Sequence, residues 1–179
     1  HARHATSVDS SMRILCLETA SDVGSVAVVI DGIVRAEGAT SARVRLGETL
    51  LGEIERVLTA SALDASSIEL CAVGTGPGSF TGLRVGLAGA KGLSLALGTP
   101  LVGVPTTWTL ARALDAAPSV VAIDARKDEA FTACFHHGRN GELEAVMEVR
   151  HGPHRAMGAA ARAALGASAC PVVVGTGAT

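Results

Sequence analysis

Two features of this 179-residue sequence have residue types and spacing that could do chemistry: a glycine loop and a pair of strand-end carboxylates. The loop reads Gly74-Thr75-Gly76-Pro77-Gly78-Ser79-Phe80-Thr81-Gly82 and lies between an apolar run at 70–74 and a helical stretch at 83–97. A glycine loop that opens a helix offers unpaired backbone N–H groups and the positive end of a helix dipole, which together hold phosphate. Both standard phosphate templates fail here. A Walker A loop needs Gly-Lys-Ser/Thr, whereas Lys91 stands between Ala90 and Gly92; a dinucleotide fingerprint needs Gly at 74, 76 and 79, and position 79 is Ser. The spacing favours tight strand-to-helix packing over phosphate binding. Ser79 falls one residue short of a Gly-x-Ser-x-Gly nucleophile elbow, so it reads as a turn or cap hydroxyl. Glu18 and Asp124 each close a strand at the start of a lobe, where a carboxylate can meet a cation or simply form a turn.

Other candidates are sparse. A metal could draw only on His136, His137, His151 and His154; no helical His-x-x-x-His pair exists, and Pro153 separates the last two, so these read as turn histidines. The aromatic residues are Phe80, Trp108, Phe131 and Phe135, with no Tyr, which leaves no stacking platform for nucleic-acid bases. Phe80 sits in a polar loop and is expected to plug that loop onto the core, the other reading being a binding surface. With 15 basic against 17 acidic residues the net charge is -2, so no basic field attracts RNA, and any RNA role needs a partner. A hydrophobic fraction of 48% and a mean hydropathy of +0.39 exclude a disordered chain. Cys16, Cys71, Cys134 and Cys170 lie far apart in apolar runs with no CxxC pair, as small core residues of a reducing compartment do. No secretory signal follows Met12, and the uncharged run at 92–111 holds Pro100 and Pro105, so neither export nor a membrane span is expected and the location reads as cytoplasmic.

The elements that must position these residues follow from periodicity. Residues 1–11 read as a tag or vector remnant. Apolar runs at 13–17, 24–30 and 33–39, the last two joined by Asp31-Gly32, predict an antiparallel meander. Leu50, Leu51, Ile54, Val57, Leu58 and Leu63 recur at helical spacing opposite Glu48, Glu53, Glu55 and Arg56, predicting an amphipathic helix over 48–62. Gly82, Gly86, Gly89 or Ala90, and Gly92 line one side of the following helix. Glycine costs about 1 kcal/mol against alanine inside a helix, so the row requires another element lying hard against it. Strands at 101–104 and 120–124 flank a helix at 106–114 capped by Thr106 or Thr107. Strands at 130–135 and 143–149, a helix at 154–165 and a strand at 172–174 follow. This order predicts an α/β protein with mixed sheets and an internal pseudo-repeat: an N-terminal lobe over 12–116, a boundary near 115–120, and a C-terminal lobe over 117–179. The last strand runs into Gly175-Thr176-Gly177, which normally opens a helix, so the second lobe reads as truncated.

The run Gly76-Pro77-Gly78-Ser79-Phe80-Thr81-Gly82-Leu83-Arg84-Val85-Gly86, continuing to Ala90-Lys91-Gly92-Leu93, resembles the signature of the bacterial TsaB (YeaZ) family of tRNA threonylcarbamoyladenosine biosynthesis proteins. Three more stretches agree in order: Ile14-Leu15-Cys16-Leu17-Glu18-Thr19-Ala20, Val102-Gly103-Val104-Pro105-Thr106 and Val121-Ala122-Ile123-Asp124-Ala125-Arg126. The resemblance implies duplicated actin-like, RNase H-like lobes with mixed sheets flanked by helices. It implies a non-catalytic scaffold that joins a TsaD-type catalytic subunit, recruits a TsaE-type ATPase, can self-associate as a homodimer through the same helical surface and meets tRNA only indirectly. The metal-binding histidines of the catalytic paralogue have no counterpart, since no His lies between positions 5 and 135. On this reading no catalytic residue, metal or intrinsic cofactor is expected, a nucleotide at a subunit interface stays open, and Glu18 and Thr19 are its candidate contacts. The helices at 48–63 and 82–97 are the expected partner faces, with Gly82, Leu83, Arg84, Gly86, Leu87, Gly89, Leu51 and Ile54 as contacts or direct supports, and a bulky residue at Gly86 is expected to abolish partner binding while leaving the fold. The sequence departs from the family pattern at Glu18, where Asp is common, and at Leu46-Gly47-Glu48, where His-Ser-Glu is common. The alternative reading is an active actin-like phosphotransferase or ATPase, or a glycoprotease-like peptidase.

Overall fold

The computed structural model describes residues 11–41, 46–114 and 117–176. Residues 1–10 of the expected remnant at 1–11, residues 115–116 of the expected lobe boundary, and Gly177 lie outside the described residues. The chain builds two mixed sheets flanked by four helices among those residues.

The first sheet contains β1 (Arg13–Glu18), β2 (Val23–Ile30), β3 (Ile33–Ser41), β4 (Leu70–Gly74) and β5 (Leu101–Val104), in the order β3-β2-β1-β4-β5. β1, β2 and β3 form the meander, and β4 pairs parallel with both β1 and β5. Asp31 and Gly32 turn the hairpin with φ of 54° and 76°, the left-handed pair that a two-residue hairpin demands. Leu15, Leu17, Val26 and Val28 point from the strands to one face and meet Leu50, Ile54, Val57 and Leu58 of α1 (Leu46–Ala60). The inward stripe of α1 is the one its periodicity indicates, apart from Leu51, which stays 60% exposed. Beside α1 lies α2 (Phe80–Leu97); Ser79 caps it by accepting the Gly82 N–H at 3.2 Å, and Gly98, at φ 67°, ends it.

The second sheet contains β6 (Ser119–Arg126), β7 (Glu129–His137), β8 (Leu143–Pro153) and β9 (Val172–Val174), in the order β8-β7-β6-β9, which repeats β3-β2-β1-β4. A turn with positive φ at Arg126, Lys127 and Asp128 joins β6 to β7. α3 (Thr106–Leu114) follows β5 but packs on the second sheet: Ala111, Trp108 and Leu110 lie with Val121, Ile123, Ala133 and Phe135. The α3 sequence therefore completes the core of the second sheet, although the sequence reading assigned it to residues 12–116. α4 (His154–Leu165) covers the opposite face, where Ala161 meets Val120, Cys134 and Met147. Among the described residues no helix is long and apolar enough to cross a membrane.

The cysteines divide by burial. Cys71 and Cys134 are buried, Cys16 is half-buried and Cys170 is exposed, so only three of the four are core or near-core residues. Burial, then the neighbouring Cys71, raises the Cys16 thiol above its ordinary range. Burial pushes the Cys134 thiol up from 9.0 to about 11. Between those values the unfolded chain loses this proton while the folded chain keeps it, so stability falls as pH rises through that window.

Phe135 is 1% exposed and meets Trp108 edge-on, with ring centroids 5.1 Å apart. Phe135→Ala should lower stability by about 4 kcal/mol, read from the denaturation midpoint with Trp108 fluorescence as the reporter. Titration of the native chain with an aromatic disulfide reagent at pH 8 should show Cys170 reacting rapidly, with Cys71 and Cys134 reacting only on unfolding; simultaneous release of all four thiols would contradict the burial pattern.

Candidate functional site

The glycine loop closes over the end of β1. Ser79 donates its N–H to the Ala20 carbonyl at 2.6 Å, Thr75 donates to the Val104 carbonyl at 2.9 Å, and Thr106 donates to the Gly76 carbonyl at 2.8 Å. These three bonds tie the loop to β1 and to the β5–α3 junction. A Cβ on Gly78 would overlap the Ala20 carbonyl, one on Gly82 the Thr19 carbonyl, and one on Gly86 the Thr19 hydroxyl. Gly82, Gly86 and Ala90, spaced four apart, form the buried edge of α2. The element lying hard against this glycine row is thus the chain's own residues 19–20.

The carboxylate of Glu18 sits under the loop. The Ala20 N–H donates to its Oε1 at 2.7 Å and the Thr106 hydroxyl to its Oε2 at 2.9 Å. A Cβ on Gly74 would overlap this carboxylate, so glycine at 74 makes room for it. Thr106 is therefore the partner of Glu18 rather than the cap of α3, whose first turn is closed by the Pro105 carbonyl accepting the Trp108 N–H at 3.0 Å. Thr19 is fully buried, and its hydroxyl has no partner among the described residues. Of the two candidate nucleotide contacts, Glu18 is half-buried and holds two internal donors, and Thr19 lies buried beneath Gly86. In the second lobe, the Asp124 N–H donates to the Thr176 hydroxyl at 3.1 Å, and Asp124 Oδ1 accepts the Arg126 N–H at 2.7 Å. His151 lies 2.9 Å from Glu129 and His136 lies 3.8 Å from Glu144, both partly exposed. Among the described residues no three His, Cys, Asp or Glu side chains converge as a metal site.

The outer face of α1 and α2 differs from this packed interior. Leu51, Phe80 and Leu95 are 60%, 73% and 83% exposed. Phe80 is not a plug: its ring is displayed to solvent, with the Arg84 guanidinium 5.4 Å from its centroid, a contact that holds both side chains in place. Arg84 is exposed, while Leu83 and Leu87 are half-buried; Leu83 leans over Gly76. Ile54 is 4% exposed in the core, and Gly82 and Gly86 are buried, so these three support the face from beneath and do not form it. Gly89 lies against Leu50 of α1, where a Cβ would come within 3.2 Å of Leu50 Cδ2. Sequence reasoning missed Thr106, whose helix-capping residue type masked a bond to a carboxylate 88 positions away. It also missed Leu95, which lies one turn beyond the exposed Lys91 on the outward side of α2.

A family model described as TsaD: tRNA N6-adenosine threonylcarbamoyltransferase matches residues 40–165, a span that includes α1, the glycine loop and α2. The tRNA threonylcarbamoyladenosine biosynthesis protein TsaB of Escherichia coli K12 is 38% identical over 76% of this chain and 63% of its own length. The protein of the same name from Haemophilus influenzae is 33% identical over 68% of this chain and 52% of its own. The chain therefore spans only about half to two thirds of these two relatives. The solved structure of YeaZ from Pseudomonas aeruginosa superposes with a TM-score of 0.71 at 28% identity, covering 79% of this chain and 67% of that one.

The packing of α2 separates its glycines into two kinds. Gly86→Ala should lower stability by about 2 kcal/mol or more, because the methyl group collides with Thr19. The expectation that a bulky residue at Gly86 leaves the fold intact is overturned by the same contact. Gly92→Ala, exposed and with nothing within 4 Å of its added Cβ, should raise stability by up to about 1 kcal/mol. Urea denaturation midpoints of the two variants check both signs.

Proposed function

The chain belongs to the TsaB (YeaZ) family of tRNA threonylcarbamoyladenosine biosynthesis proteins, and from that premise we propose that it is a non-catalytic scaffold of the modification complex. In this reading the outer face of α1 and α2 docks a TsaD-type catalytic subunit. A TsaE-type ATPase joins the assembled pair, and tRNA is met only through the complex, in the cytoplasm. A nucleotide, where one binds, sits between subunits rather than inside this chain. The domain division at 116 and 117 stands as a proposal about lobes, with α3 shared between them in packing.

One observation carries the reading: three large apolar side chains, Leu51, Phe80 and Leu95, stand exposed on two helices whose inward faces already complete a core. Apolar anchors with an arginine beside them are the usual makings of a binding hot spot. The internal use of Glu18 further supports the scaffold reading. Its carboxylate accepts from Ala20 and Thr106, which gives it a structural role in tying the end of β1 to the β5–α3 junction. His136 and His151 each lie beside one glutamate at the surface, which lends the peptidase reading no support.

Light scattering behind a sizing column, on this chain mixed with the TsaD-type subunit of the same source, should give a one-to-one complex. Leu51→Asp combined with Leu95→Asp should weaken that complex by about thirtyfold or more at an unchanged unfolding midpoint. Separate elution of the two wild-type chains, or ATP turnover by this chain alone that vanishes in Glu18→Ala, would overturn the proposal.

A further inference from the structure

The second lobe holds a groove that takes no part in the docking face. α4 packs on β7 and β8, and beside it, over β6 and β9, lies a hollow of about 340 Å³, at the small end of the roughly 300–1,000 Å³ that ligand sites occupy. It arises from side-chain size. Met157 stands on Gly152, where an added Cβ would come within 3.2 Å of its methyl group, and Leu165 packs against the cluster of Val120, Cys134 and Met147. Between these two supports α4 presents the small residues Gly158 and Ala161 to the groove, and the sheet answers with Ala122 and Ala130. Small residues on both walls, held apart by a longer one at each end, leave the space open. On α2 the small residues let the helix descend; on α4 Met157 and Leu165 hold it up.

The polar groups of the groove are few, and none is acidic. Thr132, 3% exposed, is the polar residue of the sheet wall, and His154 and Arg162 stand on the helix wall, about two turns apart. No Asp or Glu lines the groove. Glu129, at the His154 end of the sheet, is turned toward His151 at 2.9 Å. Apolar walls with a guanidinium, an imidazole and a hydroxyl as their polar points suit a molecule with an apolar body and one negative end, because all three can donate to an anion and no like charge opposes it.

We propose that this groove binds a medium-chain monocarboxylate, with its hydrocarbon chain along the floor of β6 and β9 and its carboxylate held by Arg162. The planar guanidinium pairs both carboxylate oxygens at once and keeps its charge at any pH the fold survives. Arg162 is exposed, so the ion pair forms at the mouth of the groove, where neither charge is fully stripped of water, while the chain leaves water altogether. Burial of the chain supplies the affinity and Arg162 supplies the preference for an anion. The site goes beyond the scaffold reading and does not depend on it, since it lies on the face of the second sheet opposite α3 and away from α1 and α2.

The test is calorimetric titration of the chain with octanoate, kept far below its micelle-forming concentration, which should reveal a single saturable site. Butanoate should bind at least about tenfold more weakly, because each buried methylene is worth roughly fourfold, and octanol, which has the chain without the charge, at least about fivefold more weakly. Arg162→Gln, at an exposed position, should keep the wild-type unfolding midpoint and weaken octanoate by about tenfold while leaving octanol within about twofold of wild type. Gly158→Phe is the blocking variant: the position is exposed, with nothing within 4 Å of an added Cβ, so the fold should survive and both ligands should bind at least about fivefold more weakly. Absence of a saturable octanoate site, octanol binding as tightly as octanoate, or wild-type octanoate affinity in Arg162→Gln would each overturn the proposal. Undiminished binding by a folded Gly158→Phe would put the ligand on another apolar face and overturn the assignment to this groove.

Discussion

The seating of α2 on the end of β1 is the contact from which the first lobe takes its shape. Helix and strand ordinarily pack through side chains, with axes roughly 10 Å apart. Here Gly82 and Gly86 let the helix backbone come down onto Thr19 and Ala20, and the loop before the helix is tied to the same residues through Ser79. Closeness has a geometric result. With its inner edge made of glycine and alanine, α2 sits low on the sheet and leaves Phe80, Arg84, Lys91 and Leu95 to the outside. The exposure of those side chains is thus a by-product of the small ones beneath, and one constraint yields both the packed loop and the displayed face.

The same contact explains why a phosphate-loop sequence pattern gives a different kind of site. Ser79 keeps its hydroxyl for the Gly82 N–H, Glu18 is enclosed by Gly74 and Thr106, and the backbone of the loop bonds to β1 and the β5–α3 junction. These groups are used within the chain, whereas the Thr19 hydroxyl is buried with no partner among the described residues. Rigidity follows, and a rigid loop that opens a helix is a good base for an exposed aromatic ring.

What could be read from the sequence was what neighbours in the chain decide. The Asp31-Gly32 hairpin, the inward positions Leu50, Ile54, Val57 and Leu58, and the bounds of the helix at His154–Leu165 all depend on turn chemistry and periodicity over a few residues. Burial of individual apolar side chains was less legible, because it is settled by distant elements. Leu51 fits the apolar pattern and stays outside, and Phe80 looked like a plug and proves to be displayed. The glycine row of α2 correctly announced a close approach, but nothing in the row says whether the approaching backbone belongs to the same chain. The bond from Thr106 to Glu18 spans 88 positions and has no local signal at all.

The path of α3 bears on how this protein can be divided. It leaves the first sheet immediately after β5, with residue 105 between, and supplies Trp108, Leu110 and Ala111 to the second. The core of the second sheet therefore extends across the gap between helix and strand to include α3. A fragment beginning at 117 would carry a sheet with one face stripped of its cover, whereas a fragment beginning at 105 would bring that cover along. Gene fusions or splits that respect folding should place their junction ahead of Pro105, a position marked by packing and invisible in composition.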